Sequence, residues 1–304
     1  MSQLKDVLRS SLKSSTISSY SHHWQIFVDF HFQHQLQFTL PVKHTTIAMF
    51  LVHLHKQRLR ATTIRTYLTA ISFVHRIKNM PDPSHSLLIT KTLHGIANLD
   101  KLRPSTPLRP ITRDILHKLI DAIPAIQPFP YYQALLKALF LLTYHACMRA
   151  GEAVVSMHDQ HTLSLSDIES TTYNQLPAYN ITFRTYKHSH NPAILTLLPA
   201  STPQYCPVQS LKEYLRIRGQ TPGKLFISCT RQPINRHFFA DNLKSALGQL
   251  GLPSNQYNTH SFRIGRATQM ALEHTPDSVI RTVGRWHSSA YQGYIRPTAI
   301  DLPQ

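Results

Sequence analysis

Apolar residues recur at helical spacing along most of this chain. In STISSYSHHWQIFVDFHFQHQ, Ile17, Tyr20, Trp24, Phe27 and Val28 fall near one stripe, which predicts an amphipathic helix. Thr45 and Thr46 precede the apolar face of IAMFLVHLHKQ and mark the expected start of a second helix. ATTIRTYLTAISFVHRI repeats the stripe through Ile64, Leu68, Ile71 and Val74, with Thr62 as its expected cap. A fourth helix is expected over SHSLLITKTLHGIAN. Together they predict an all-helical bundle over residues 1–103.

The periodicity stops at DKLRPSTPLRP, where three prolines and two arginines stand without apolar spacing. Residues 104–110 are therefore expected to form a linker to a second domain over 111–304. ITRDILHKLIDAI reads as a helix, and YYQALLKALFLLTYHACMRAGEAV reads as one apolar nearly all round, hence central to a core. LSLSDIES and YNITFRTYKHSHNPAILTLLP are rich in β-formers on either side of a polar turn, which predicts a small antiparallel sheet. Helices are expected again at CPVQSLKEYLRIRG, INRHFFADNLKSALGQLG, HSFRIGRATQMALEH and from Ser278 to Tyr294. The fold class is mainly α, with a small sheet inserted in the second domain.

Composition changes this picture through charge. The 304 residues hold 32 Lys and Arg against 15 Asp and Glu, a net +17 with the 20 His neutral. The excess is not a tail: residues 1–104 carry +9 and residues 105–304 carry +8. A polyanionic partner and a soluble chain of high pI both fit that balance. No apolar run approaches the roughly 18 residues of a membrane-spanning helix, so no membrane partner is expected. The start, MSQLKDVLRSSLKSST, lacks an apolar signal core, so secretion is not expected. Cys147, Cys206 and Cys229 are odd in number and without CxxC spacing, which points to a reducing compartment rather than disulfides. Pairs such as His31 with His34 and His188 with His190 lack the further ligands of a metal site, and none is expected.

Basic and hydroxyl residues gather in HKQRLRATTIRTY, where Lys56, Arg58, Arg60 and Arg65 surround Thr62 and Thr63 at an expected helix start. Such groups suit phosphate contacts, and equally a solvated loop.

Four strings carry the candidate chemistry: ACMRAGEA, FRTYKHSHN, NTHSFRIGRAT and VGRWHSSAYQGYIR. In order they supply Arg149, Lys187, His260 with Arg263, Trp286 and Tyr294. Each alone is weak: Arg149 can aim into a cleft or pair with Glu152 as a buried structural arginine, and Lys187 can be an exposed hairpin lysine. As a set they suit one reaction. A tyrosine attacking a phosphodiester must lose a proton from a group of pKa about 10, and the transition state gains negative charge on its nonbridging oxygens. Two arginines address that charge, a lysine can protonate the departing 5′ oxygen, and histidine and indole can donate further hydrogen bonds. No metal or other cofactor is required.

These strings resemble those of the tyrosine recombinase, or phage-integrase, family over nearly the whole chain. HSFRIGRAT and GRWHSSAYQGYIR are most similar to recombinases of eukaryotic DIRS-like and Ngaro-like retrotransposons and of Crypton elements. By motif position, the resemblance implies that Arg149 is the first catalytic arginine, Lys187 the hairpin lysine and His260 with Arg263 the HxxR pair. Trp286 takes the histidine-or-tryptophan position and Tyr294 is the nucleophile, with Glu152 supporting the first arginine. Eight positions separate Trp286 from Tyr294, one fewer than in many members, so Tyr291 is a rival nucleophile. His287 is a rival for the role of Trp286, and Lys224 for that of Lys187.

The resemblance further implies a helical, SAM-like core-binding domain and a DNA breaking-rejoining catalytic domain, which together clamp double-stranded DNA. Lys56, Arg58, Arg60, Thr62, Thr63, Arg65, Arg103, Arg109, Arg231 and Arg236 would then face phosphates. Strand exchange in this family implies a homotetramer on two duplexes, and the likeness to recombinases of eukaryotic elements implies a mobile-element role and action in the nucleus. The ten residues after Tyr294 suit a short tail docked on a neighbour rather than an appended domain. Two other expectations stay open: a catalytically inactive, domesticated DNA-binding protein, and DNA relaxation of the type IB topoisomerase kind.

Overall fold

The computed structural model describes residues 11–103, 107–156, 161–186 and 191–297. The chain divides into two compact units, Met1–Ser105 and Thr106–Gln304.

The first unit holds four α-helices: α1 (Ser14–Gln33), α2 (His44–Lys56), α3 (Ala61–Ile77) and α4 (Leu87–Lys101). Their apolar stripes meet in one core around Phe27, Phe50, Leu51, Ile64, Ile71 and Ile89. Two helix starts differ from the sequence expectation. Thr45 and Thr46 lie inside α2, which follows Lys43, and Thr62 lies inside α3, which follows Arg60. The start of α3 is capped from a distance instead: the Asp100 carboxylate of α4 accepts from the Ala61 backbone N–H. A tertiary carboxylate satisfies the same orphan donors that a local hydroxyl would have. His31 and His75 are buried structural groups. Their Nδ1 atoms sit 2.9 Å and 2.8 Å from the carbonyls of Phe27 and Ile71, and Val42 N–H donates to His75 Nε2.

In the second unit, α5 (Arg113–Ile126) and α6 (Pro130–His145) precede a single short turn of helix, α7 (Ala150–Ala153). Thr112 caps α5 by accepting from Ile115 N–H. As its composition demands, α6 is the centre of the core, with Leu135, Leu139, Phe140 and Leu142 fully buried. It does not run on through Arg149. Cys147 has a left-handed φ of 48°, which ends the helix and leaves the carbonyls of Ala146 and Cys147 without partners in a helix.

Strands β1 (Ile168–Tyr173), β2 (Leu176–Phe183) and β3 (Ala193–Leu197) form an antiparallel sheet in that order. Tyr173 pairs Leu176 across Asn174 and Gln175, both at positive φ, the geometry of a two-residue hairpin turn. Helices α8 (Pro207–Arg218), α9 (Arg236–Gln249), α10 (Ser261–Leu272) and α11 (Asp277–Gly284) follow, then a 3₁₀ segment, Ser289–Tyr294. The expected helix from Ser278 to Tyr294 is thus interrupted, because Arg285 adopts φ 56° and ψ 49°. Among the described residues no helix is long and apolar enough to cross a membrane.

The part of the expected linker that is described packs on the second unit. Arg109 N–H donates to Gln256 O at 2.8 Å and Ile111 N–H to Ser261 O at 3.0 Å. This path runs over Gly265, where a Cβ would lie 1.8 Å from the Ile111 carbonyl oxygen. Gly265→Ala should therefore destabilise the second unit by about 3 kcal/mol, since backbone cannot yield as a flexible side chain would. The check is a lowered urea midpoint at unchanged slope; an unchanged midpoint would show that the 107–111 segment shifts freely.

Candidate functional site

The second unit brings four of the sequence-derived residues into one neighbourhood at the N-terminal end of α10. His260 immediately precedes that helix, with its backbone N–H on Asn258 Oδ1 at 2.8 Å. Arg263 lies one turn further on, and Trp286 and Tyr294 reach it from the segment after α11. The Tyr294 ring lies 5.1 Å from the His260 ring and 5.0 Å from the Trp286 ring, centre to centre. The Arg263 guanidinium sits 4.0 Å over Trp286 and 5.3 Å from Tyr294. Tyr294 is half-buried, and its backbone is docked on α10: Thr268 Oγ1 donates to Tyr294 O, and Arg296 N–H donates to Thr268 Oγ1.

Arg149 stands at the start of α7, its side chain 21% exposed. Its Nη1 donates to Glu152 Oε1 and its backbone N–H to Glu152 Oε2, both at 2.9 Å. Glu152 is buried, which pushes its carboxyl up, but Arg285, Arg149 and Arg263 outweigh burial and hold it below the usual carboxylate range. Arg149 thus pairs with Glu152 while its side chain stays partly open to solvent.

Arg263 is fully buried. It donates through Nη1 to Cys147 O and through Nη2 to Gly284 O at 2.5 Å. Burial holds it below the usual arginine range; the nearby Cys147 opposes that shift and Arg149 adds to it. No external anion reaches it without displacing a neighbour, and Trp286 covers its face. That stacking needs Gly284, where a Cβ would lie 1.6 Å from the indole.

Two of the three rival pairs differ in their surroundings. Tyr291 is buried and donates its hydroxyl to Asp277 Oδ2 at 2.5 Å; that bond pushes its pKa up and keeps the phenol protonated. The exposed His287 stacks on Tyr186, ring centres 5.7 Å apart and nearly parallel, whereas Trp286 lies against both Arg263 and Tyr294. Lys187 lies outside the described residues, as do His188 and His190. Lys224 donates Nζ to Thr162 O at 3.0 Å.

The remaining candidate phosphate ligands differ in exposure. Lys56, Arg58, Arg65, Arg231 and Arg236 are exposed, as are Thr62 and Thr63. Arg60 donates to Asp100 O at 3.0 Å and Arg103 to Asp100 Oδ1 at 3.2 Å, so these two brace the first unit. Arg109 is half-buried. Arg236 is close to the site, because its guanidinium lies 2.7 Å from where a Gly151 Cβ would be. Sequence reasoning missed Arg285, although it stands inside GRWH: buried, it donates to Glu152 Oε2 at 2.6 Å and to the carbonyls that the end of α6 leaves open. The signal available was an arginine between Gly284 and Trp286, off every apolar period. Among the described residues no cluster of three or more His, Cys, Asp or Glu suits a metal ion.

Chemically, the arrangement offers a phenol beside an imidazole, an indole and buried guanidinium charge, with a second, solvent-reachable guanidinium fixed by a carboxylate. It suits stabilising an anion that develops next to the phenol oxygen.

No family model and no curated protein matches the sequence. Solved structures do match in fold. The XerH site-specific recombinase bound to palindromic difH substrate, a post-cleavage complex, superposes with a TM-score of 0.67 at 16% identity, over 91% of this chain and 75% of that one. A lambda integrase dimer bound to a COC′ core site gives 0.66 at 13% identity, over 100% and 78%. The Tn1549 transposon integrase in complex with transposon right end DNA gives 0.63 at 13% identity, over 97% and 93%. The mainly helical chain with its small antiparallel sheet has the tyrosine-recombinase fold.

Proposed function

We propose that the protein is a site-specific DNA recombinase that breaks and rejoins strands through Tyr294. The observation that carries this function is the packing of the Tyr294 ring against His260, Trp286 and the Arg263 guanidinium. In the proposed reaction Tyr294 Oη attacks a DNA phosphorus, its proton passing to a neighbouring base. The P–O5′ bond breaks, and the 5′ oxygen leaves as a hydroxyl after taking up a proton. A 3′-phosphotyrosyl ester remains, and the 5′ hydroxyl of a partner strand reverses the step. The ester conserves the bond energy, so no nucleotide cofactor enters.

Arg149 is the proposed phosphate ligand in the resting arrangement, and Arg263 joins it once the Trp286 ring shifts from its face. His260 is the proposed proton carrier, and Lys187 the proposed donor to the leaving oxygen. Double-stranded DNA is the proposed substrate, held by exposed cations of both units, most of which position the duplex without reading it. The motif resemblance supports a mobile-element role of the DIRS-like or Crypton kind, assembly as a homotetramer on two duplexes, and action in the nucleus.

The test is a duplex pool of randomised sequence, nicked on one strand so that the cleaved end departs as a short oligonucleotide. The wild-type chain should yield a covalent protein–DNA adduct that maps to Tyr294 by mass spectrometry. Retention of the duplex without any adduct would point to an inactive DNA-binding protein. Adduct with supercoil relaxation and no exchange between sites would point to a topoisomerase.

A further inference from the structure

Arg285 joins three parts of the second unit that are far apart in sequence. It follows α11 in the left-handed region, and its side chain is only 2% exposed. Nη2 donates to Glu152 Oε2 at 2.6 Å and to Cys147 O at 3.3 Å; Nη1 donates to Ala146 O at 3.1 Å and Val283 O at 2.9 Å. Its flat face lies 3.7 Å over the Phe183 ring of β2. A planar fork facing a carboxylate and three carbonyls has one orientation, which an ammonium or an amide cannot reproduce.

The partners make this more than a packing contact. Glu152 Oε2 receives Arg285 while its Oε1 receives Arg149, so the carboxylate plane that orients Arg149 is held from the far side by Arg285. Cys147 O accepts from both Arg285 and Arg263. The chain Arg149–Glu152–Arg285 therefore connects the partly exposed Arg149 to the segment that carries Trp286 and Tyr294. Buried ion pairs seldom stabilise more than apolar side chains of the same volume would, so stability alone does not account for an arginine here.

We propose that Arg285 is a positioning residue for strand cleavage: acting through Glu152, it fixes the direction in which Arg149 meets the scissile phosphate and ties that direction to the segment bearing Tyr294. The role rests on the recombinase function above.

The experiment uses the full chain and a nicked duplex enriched from the randomised pool by covalent capture on the wild-type protein, below the melting temperature of every variant. Arg285→Gln should slow single-turnover adduct formation about 100-fold, the scale of a misplaced catalytic group, while duplex affinity by anisotropy stays within about twofold. Arg285→Lys, which keeps a charge opposite Glu152, should recover about tenfold of that loss. In a Glu152→Gln background, Arg285→Gln should have no further effect on rate, because the link is already broken. Wild-type rates in both single Arg285 variants, loss of rate and affinity in parallel, or full multiplicative effects in the double variant would each overturn the role while leaving the recombinase function standing. If Arg285→Gln does not fold, Arg285→Lys decides: slower cleavage at equal affinity supports the role and equal cleavage overturns it. Absence of any wild-type adduct overturns the function itself, and the role with it.

Discussion

Tyr294→Phe should reduce covalent DNA linkage to background, a loss of about 10⁵-fold or more, the scale on which removal of a nucleophile acts. Phenylalanine has no oxygen to form the P–O bond, and no neighbouring group can form the same ester. Duplex affinity should stay close to wild type, because the ring that packs on His260 and Trp286 is retained. Tyr291→Phe serves as the contrast. Its hydroxyl is committed to Asp277, and its removal should cost a hydrogen bond of about 1 kcal/mol and leave the adduct intact. A denaturing gel of the trapped nicked duplex reads both variants, and adduct persisting in Tyr294→Phe but lost in Tyr291→Phe would reassign the nucleophile.

Glu152→Gln should cost about 3–5 kcal/mol of unfolding free energy at neutral pH, because it leaves the buried Arg285 without a counter-charge. The pH dependence has a definite sign. The folded carboxyl is held below its unfolded value, so its contribution is complete above the unfolded pKa of about 4.3 and is lost as pH falls through the lower folded value. Wild type should therefore lose stability on acidification below about pH 4.3 more steeply than Glu152→Gln, and the gap between them should narrow. Urea midpoints from pH 7 down to pH 3 provide the check. A constant gap across that range would mean that folding does not shift the Glu152 carboxyl, and a gap that widens as pH falls would mean that the carboxyl is protonated in the folded protein. Because Glu152 also orients Arg149, the same variant should cleave slowly at a pH where it is fully folded.

Helices were legible wherever a local cause was sufficient. The stripe through Ile64, Leu68 and Ile71 and the apolar α6 each needed only spacing, and the antiparallel sheet needed only β-formers around a polar turn. The helix starts in the first unit were less legible, because Asp100 replaced the expected local cap at α3 from 39 residues away. Both misplaced helix ends lie at non-glycine residues with positive φ, Cys147 and Arg285. L-residues enter that region at a cost, and nothing in their own composition announces it.

The site divides in the same way. The sequence by itself determined which residue types could meet, because HxxR spacing places His260 and Arg263 one turn apart and the motif order names Arg149 and Tyr294. It also determined a mainly helical chain in two parts with basic charge spread over both. Only the tertiary structure shows that Tyr294 lies beside His260 and Arg263 while the Tyr291 hydroxyl is bound to Asp277, that Trp286 and not His287 stacks on Arg263, and that Arg149 is at once paired and partly exposed. The reason is physical: each outcome depends on a partner distant in sequence, whether Asp277 on the Tyr291 hydroxyl, Tyr186 under His287, or Arg285 on Oε2 of Glu152. The open carbonyls at the end of α6 and the guanidiniums that fill them become visible only when both are folded against each other.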